Sequence, residues 1–200
     1  MSASKKQQVI EMTRKYAVIR PVDVATAGLP REYLSRLADE GKLLRVGRGL
    51  YQTPDREPGQ HFSLLTVVKL VPNGVIALLS ALSYHGLTTQ HPHEVWIAID
   101  RKARTPKIDY PRVRYLYMSS PVLTEGVEQQ VIDGVKIKVF NVAKTVADCF
   151  KYRNKIGLDV ALEALREGWR EKRFTMDELS HYAGACRVLN VMRPYMESLL

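Results

Sequence analysis

Arginine, serine and tyrosine side chains cluster between residues 31 and 48 in a pattern that is typical of contact with DNA. Arginine offers two parallel donors to the O6 and N7 atoms of guanine, whereas hydroxyl groups suit phosphate oxygens, which position a protein without specifying a sequence. The alternative is that these side chains are solvated charges on a small helical domain. The candidate DNA contacts are Arg31, Tyr33, Ser35, Arg36, Lys42, Arg45 and Arg48.

The helices that would position these residues are bounded by proline and glycine. Pro21 suits the first turn of a short second helix, and Gly28 can end that helix in a left-handed conformation. The third helix has Leu34 and Leu37 on its inner stripe and ends at Gly41, so its opposite face presents the candidate contacts. Two helices joined by so tight a turn predict a helix-turn-helix.

A period of two replaces the helical period after residue 41. The runs 43–46 and 50–53 are typical of short strands, and Gly47 and Gly49 between them supply the positive φ that a tight hairpin needs. Arg48 would lie at the hairpin tip, with Lys42 and Arg45 beside it. Preceded by a first helix that starts with the capping-box pattern of residues 4–7, this arrangement predicts a winged helix-turn-helix over residues 1–56.

The remainder of the chain mixes helical and β-type patterns. Residues 53–60 contain two prolines and a glycine and are the best candidate linker, so we expect a second domain over residues 57–200. Helices are predicted at 61–71, at 75–84 and from residue 141 onward; strands are predicted at 95–99, 113–118, 127–132 and 135–140. Asp133-Gly134 is a strong hairpin signal. The predicted fold class is α+β, with an N-terminal winged helix-turn-helix and a mixed α/β C-terminal domain.

Basic residues are concentrated near the N-terminus. The formal net charge is +9, and residues 1–56 hold 11 Lys and Arg against 6 Asp and Glu. This distribution favours a polyanionic partner for the N-terminal domain. The sequence shows no apolar run long enough for a membrane span and no signal-peptide pattern, and Cys149 and Cys186 form no disulfide framework. We therefore expect a cytoplasmic protein with no membrane partner.

Two further groups of residues are candidates for chemistry. Six basic residues between 101 and 114 could grip nucleic acid or an acidic protein, although a mobile, solvated loop explains them more simply; they are Arg101, Lys102, Arg104, Lys107, Arg112 and Arg114. His85, His91 and His93 lie near Glu94, but their spacing fits no helical metal site, so no metal ion or other cofactor is predicted.

No catalytic constellation emerges from the remaining polar residues. Ser80, Ser83 and His85 lack the context of an activated nucleophile. Lys144 and Asp148, four residues apart, are interpreted as an ion pair on a helix surface. We therefore expect that the protein is not an enzyme.

Three blocks of the sequence resemble the AbiEi family of antitoxins. The first block comprises Arg20-Pro21, Gly28, Leu34, Leu37 and the run from Gly41 to Tyr51. The second is the run from Ser80 to Leu87, and the third is the run from Val139 to Asp148. Together the three blocks span most of the chain.

The resemblance implies a function in abortive-infection systems, which protect bacteria from phage. It implies a transcriptional autoregulator that represses its own operon through the N-terminal domain and binds the operator as duplex DNA. It also implies that the C-terminal domain counteracts a nucleotidyltransferase toxin without a stable toxin–antitoxin complex. The alternatives are a stand-alone transcription factor whose C-terminal domain senses a ligand or partner, and a nucleic-acid enzyme targeted by the winged helix; the absence of a catalytic constellation counts against the latter.

Overall fold

The computed structural model describes residues 4–57, 59–90 and 92–199. Their contacts divide the chain into two compact units. The first comprises the residues up to Pro72, together with Ile108–Pro111 and Gln130–Ile137, and the second comprises Asn73–Lys107, Arg112–Gln129 and the chain from Lys138 onward. The first unit thus extends beyond residue 56, and the division into functional domains 1–56 and 57–200 stays a prediction.

Three helices open the first unit, as predicted. They are α1 (Lys5–Lys15), α2 (Pro21–Thr26) and α3 (Glu32–Asp39). Ser4 caps α1 by accepting a 3.2 Å hydrogen bond from the backbone N–H of Gln7. Gly28 and Gly41 follow α2 and α3 with φ values of +72° and +69°, the left-handed conformation that glycine adopts at little cost.

A two-stranded antiparallel hairpin completes the winged helix. It consists of β1 (Leu44–Gly47) and β2 (Leu50–Gln52). The backbone groups of Tyr51 and Ile19 exchange two hydrogen bonds, which fasten β2 to the segment between α1 and α2. The common core is formed by Val9, Ile19, Val24, Leu34, Leu37, Leu43 and Tyr51, all of them buried. The predicted N-terminal fold is therefore confirmed.

The first unit continues into helix α4 (Phe62–Leu70). Lys69 near its end forms a 2.8 Å ion pair with Asp23 of α2. The carbonyl of Lys69 also accepts a hydrogen bond from the guanidinium of Arg20. These bonds attach α4 to the start of α2.

A five-stranded mixed sheet follows in the chain. Its strands are β3 (Val75–Ile76), β4 (Val95–Asp100), β5 (Val113–Met118), β6 (Val127–Ile132) and β7 (Val135–Phe140), arranged in the order β5-β4-β3-β7-β6. Strand β3 is antiparallel to β4 and parallel to β7. The β6–β7 turn contains Asp133 and Gly134, both with positive φ, as its sequence predicts. The prediction of a helix over 75–84 is wrong at its start, where β3 precedes helix α5 (Leu78–His85).

The elements of the second unit that remain to be described are helices. Its remaining helices are α6 (Ser120–Thr124), α7 (Val142–Lys151), α8 (Arg153–Ile156), α9 (Leu158–Arg170), α10 (Met176–Ala185) and α11 (Leu189–Glu197). Thr175 and Glu178 form a capping box at the start of α10. Phe140, Phe150 and Leu165 are among the buried side chains of its core. The predicted mixed α/β class is confirmed, and none of the described helices is long and apolar enough to cross a membrane.

Candidate nucleic-acid interface

Helix α3 separates its apolar residues from its charged ones. Leu34 and Leu37 are completely buried in the core of the first unit. The opposite face is exposed to solvent and carries Glu32, Ser35, Arg36 and Asp39, with Arg31 at the N-cap. The amphipathic pattern of the sequence thus orients α3 as predicted and leaves a polar, solvent-exposed face, as a helix that inserts into the major groove requires.

Tyr33 supports Arg36 from within the same helix. Its ring is half-buried and packs against the core, and the guanidinium carbon of Arg36 lies 5.9 Å from the ring centroid. This cation–π contact limits the conformations of the arginine while its donors stay in solvent. Tyr33 therefore acts in this structure as a support for Arg36.

The hairpin places Arg48 at its tip. Gly49, next in the chain, has a φ of +69° and makes the tight reversal possible. Arg48 is exposed, and within the part of the chain that the structure describes it forms no ion pair. Its guanidinium is thus available to a phosphate group.

A shallow basic groove connects the hairpin tip with the starts of α2 and α3. The groove has a volume of about 410 Å³, and its lining includes Arg20, Arg31 and Arg48 beside Pro21 and Val22. Three guanidinium groups around one concave surface produce a positive field that favours a phosphate oxygen. Sequence reasoning missed Arg20 as a site residue. Its position directly before the helix-starting Pro21 was the available signal, because such a residue lies at a helix N-terminus.

Ser35 and Arg45 are engaged by a third residue, Tyr51. The Nη2 of Arg45 donates a 2.9 Å hydrogen bond to the Tyr51 hydroxyl, which also lies 3.4 Å from the Oγ of Ser35. Burial raises the pKa of Tyr51, but the hydrogen bonds with Ser35 and Arg45 outweigh it and hold that pKa below its usual value. The structure thus joins α3 and the hairpin through one phenol group.

Lys42 is partly neutralised by an acidic neighbour. Its Nζ lies 3.0 Å from a carboxylate oxygen of Glu40, which also pairs with Lys6. The hydrogen bonds from Lys6 and Lys42 lower the pKa of Glu40 below its usual value. Of the five charged candidate contacts, Lys42 therefore has its charge most directly compensated.

The basic loop of the second unit is anchored as well as solvated. Arg101, Lys102, Arg104 and Lys107 are exposed. The hydroxyl of Tyr117 lies 2.6 Å from the Oγ1 of Thr105, and the hydroxyl of Tyr115 donates a 2.9 Å hydrogen bond to the carbonyl of Pro106. Asp100 accepts bonds from Ser120 and from the backbone N–H of Lys102, which lower the pKa of its carboxyl group.

His85, one of the histidines that were considered for metal binding, is bonded to a backbone carbonyl. The Nε2 of His85 lies 2.7 Å from the carbonyl oxygen of Phe140, which can only accept, so this nitrogen carries a proton. His93 is exposed, and His91 lies outside the described residues. In the described ranges, no three His, Cys, Asp or Glu side chains come together as a metal site.

Ser80 and the pair of Lys144 and Asp148 belong to the interior of the second unit. The Oγ of Ser80 accepts a 2.9 Å hydrogen bond from the backbone N–H of Trp96, so the hydroxyl is committed to holding β4. Lys144 and Asp148 form an ion pair in which both side chains are 0% exposed. The prediction of a surface ion pair is therefore wrong, because the whole face of α7 that carries them is covered.

Residues 4–52 thus have the architecture of a winged helix-turn-helix protein, with a basic groove beside the recognition helix. Residues 7–54 match the family model described as "Transcriptional regulator, AbiEi antitoxin". This match confirms the resemblance for the first block and supports a role as a transcriptional regulator or antitoxin. The second and third blocks lie outside the matched residues, and their resemblance stays a prediction. No curated protein matches the chain significantly.

Proposed function

We propose that this chain is a cytoplasmic DNA-binding autoregulator and antitoxin of an abortive-infection system. In this proposal the winged helix binds the operator of its own operon as duplex DNA. The rest of the chain counteracts a nucleotidyltransferase toxin without forming a stable complex with it. The observation that carries the proposal is the basic groove of Arg20, Arg31 and Arg48 beside α3, inside the segment that matches the regulator family.

The charges of the winged helix suit a regulator that must find one site among many. The arginines of the groove attract phosphates of any sequence, and this electrostatic attraction supplies non-specific affinity. The face of α3 mixes Arg36 with the carboxylates of Glu32 and Asp39. Acidic side chains repel phosphates and can accept hydrogen bonds from only a few base edges. Their presence on α3 therefore favours binding to particular DNA sequences over binding to any sequence.

Operator binding is tested with the full-length protein on a labelled duplex from its own upstream region. A scrambled duplex of the same composition is the competitor. We expect a clear preference for the upstream duplex, and log K should fall by about 0.9 per phosphate contact against log salt. Equal affinity for both duplexes would remove operator recognition from the proposal.

Antitoxin activity is tested separately by growth rescue. The toxin gene and the full-length antitoxin are expressed from unrelated promoters, with the wild-type protein compared with a variant carrying both Arg36→Ala and Arg48→Ala. We expect both proteins to rescue growth, because toxin neutralisation is assigned to the rest of the chain. Loss of rescue in the double variant would mean that antitoxicity works through DNA binding.

A second candidate is a stand-alone transcription factor whose C-terminal part senses a small ligand. It is favoured by a cavity of about 500 Å³ in the second unit, within the usual size range of ligand sites. Its lining includes His93, Glu94, Trp96 and Arg112, and the indole N–H of Trp96 has no partner among the described residues. The gene next to this one decides between the two candidates: a nucleotidyltransferase-like neighbour favours the antitoxin.

A further inference from the structure

Tyr51 has a buried ring and a hydroxyl group that reaches surface residues. The side chain is 3% exposed and belongs to the core of the winged helix. Its backbone N–H and carbonyl are both bonded to Ile19, at 3.0 and 2.9 Å. Packing and backbone bonds together fix the position of the hydroxyl oxygen. A side chain that forms a hydrogen bond with this oxygen is therefore held in one place.

The two groups at this hydroxyl come from different elements. Arg45 lies directly opposite Tyr51 in the register of the β1–β2 hairpin, and its guanidinium both donates to the hydroxyl and lies 5.5 Å from the centroid of the Tyr51 ring. Ser35 belongs to the exposed face of α3. One oxygen atom therefore links the recognition helix to the first strand of the wing.

Arg45 keeps most of its donors free. A guanidinium has five N–H groups, and the described part of the chain supplies no hydrogen-bond partner for Arg45 besides Tyr51. The nearby carboxylate of Asp39 attracts the same cation. Arg45 is thus held beside α3 with several N–H groups facing solvent. A side chain in this position can contact a phosphate next to the bases that α3 would face.

We propose that the hydroxyl of Tyr51 is a positioning group that holds Arg45 against the recognition helix and thereby sets the selectivity of the wing and helix for one duplex sequence. This inference rests on the proposed operator binding. A freely rotating Arg45 would still attract phosphates of any duplex, because its charge would be unchanged. An anchored Arg45 reaches a phosphate in one geometry only. The contact between Arg45 and the phosphate therefore forms when α3 is aligned with the bases that it recognises, and it is lost otherwise.

The test is the substitution Tyr51→Phe in the full-length protein, which removes the hydroxyl and keeps the ring in the core. We expect about a tenfold loss of affinity for the upstream duplex and less than about a twofold loss for the scrambled duplex, since a hydrogen bond to a charged group is being removed. Tyr182→Phe is the matched control, because it removes a hydroxyl bonded to Asn141 in the second unit. That variant should bind like the wild type.

A double-mutant cycle separates positioning from a general loosening of the fold. If Tyr51 acts through Arg45, then Tyr51→Phe has no further effect on selectivity in an Arg45→Met background. Arg45→Lys keeps the exposed charge but loses the planar guanidinium, so it should reproduce the loss of selectivity with the core untouched.

Two results would overturn the inference while leaving operator binding intact: wild-type selectivity in Tyr51→Phe, or additive effects of the Tyr51 and Arg45 substitutions. A wild-type protein with no preference for the upstream duplex would overturn the inference together with the proposed function.

Discussion

Helix α3 of the winged helix and helix α7 of the second unit hold charged side chains in opposite settings. On α3, Arg36 is exposed and rests on the ring of Tyr33. On α7, Lys144 and Asp148 are wholly buried and bonded to each other. An exposed charge costs the fold little and remains available to a partner, whereas a buried one is tolerated only because it is paired. The difference separates charges that serve binding from charges that serve the core.

The buried pair is also supported by its surroundings. The Nζ of Lys144 lies 4.4 Å from the ring centroid of Phe140, and the Sγ of Cys186 donates a 3.2 Å hydrogen bond to Asp148. Burial and the negative charge of Asp148 raise the pKa of Cys186 to about 12, so this thiol stays protonated and can act as the donor. The α7 charges therefore belong to an internal network that joins α7 to the end of α10.

The largest effect is expected from breaking this pair. Lys144→Met leaves the carboxylate of Asp148 buried without its cation, and the free energy of unfolding should fall by about 3–5 kcal/mol. Replacing both partners, as Lys144→Met with Asp148→Leu, should recover most of the loss. Lys151→Met on the exposed side of the same helix is the control and should change stability by less than about 0.5 kcal/mol. Denaturant unfolding measures all three variants; a harmless Lys144→Met would mean that the pair does not hold the core.

The next effect, on the winged helix, should appear in binding and not in stability. Arg36→Ala should weaken binding to the upstream duplex by about 1–3 kcal/mol, the range for a lost base contact.

Arg48→Ala should weaken binding to all duplexes alike. The slope of log K against log salt should become shallower by the amount expected for about one phosphate contact. Because both side chains are exposed, the free energy of unfolding should change by less than about 1 kcal/mol. Arg166→Ala, an exposed arginine on α9, should leave both quantities unaltered. A large loss of stability in Arg36→Ala would mean that Arg36, like the charged residues of α7, serves the fold.

The sequence predicted elements better than it predicted the surroundings of individual side chains. The bounds of β5, β6 and β7 agree with prediction because each strand has a turn signal beside it, and β5 and β7 are also rich in β-branched or aromatic residues. Strand β3 was missed because two residues carry no periodicity and are strand only through pairing with β4 and β7. A Lys four residues before an Asp gives the same sequence pattern on a covered helix face as on an exposed one. The burial of Lys144 therefore could not be predicted from this spacing.

The same limit applies to the candidate interface. The apolar stripe of α3 was enough to predict which of its residues face solvent, since the 3.6-residue period determines the face. The groove that contains Arg20, and the bonds of Tyr51 to Ser35 and Arg45, depend on how α2, α3 and the hairpin pack. Neither the type nor the spacing of these residues in the chain encodes those distances.

The smallest effect is expected from His85, a half-buried titratable group of the second unit. Burial disfavours the imidazolium form and lowers the pKa of His85 below its usual value of 6.5, although the bond to Phe140 and the charge of Glu128 oppose this. In the unfolded chain the ring is solvated and takes up its proton near pH 6.5. As the pH falls below that value, the unfolded state binds the proton first, so His85 makes the folded state progressively less stable.

Thermal unfolding at pH 8 and pH 5.5 isolates this contribution. His85→Gln removes the titrating ring, and its Tm should fall less between the two pH values than that of the wild type. His93→Gln, at an exposed histidine of the same unit, leaves His85 in place and should show the wild-type fall. If His85→Gln and the wild type lose the same Tm, the burial of His85 carries no proton linkage. The contrast between exposed and buried charges would then rest on the buried Lys144–Asp148 pair alone.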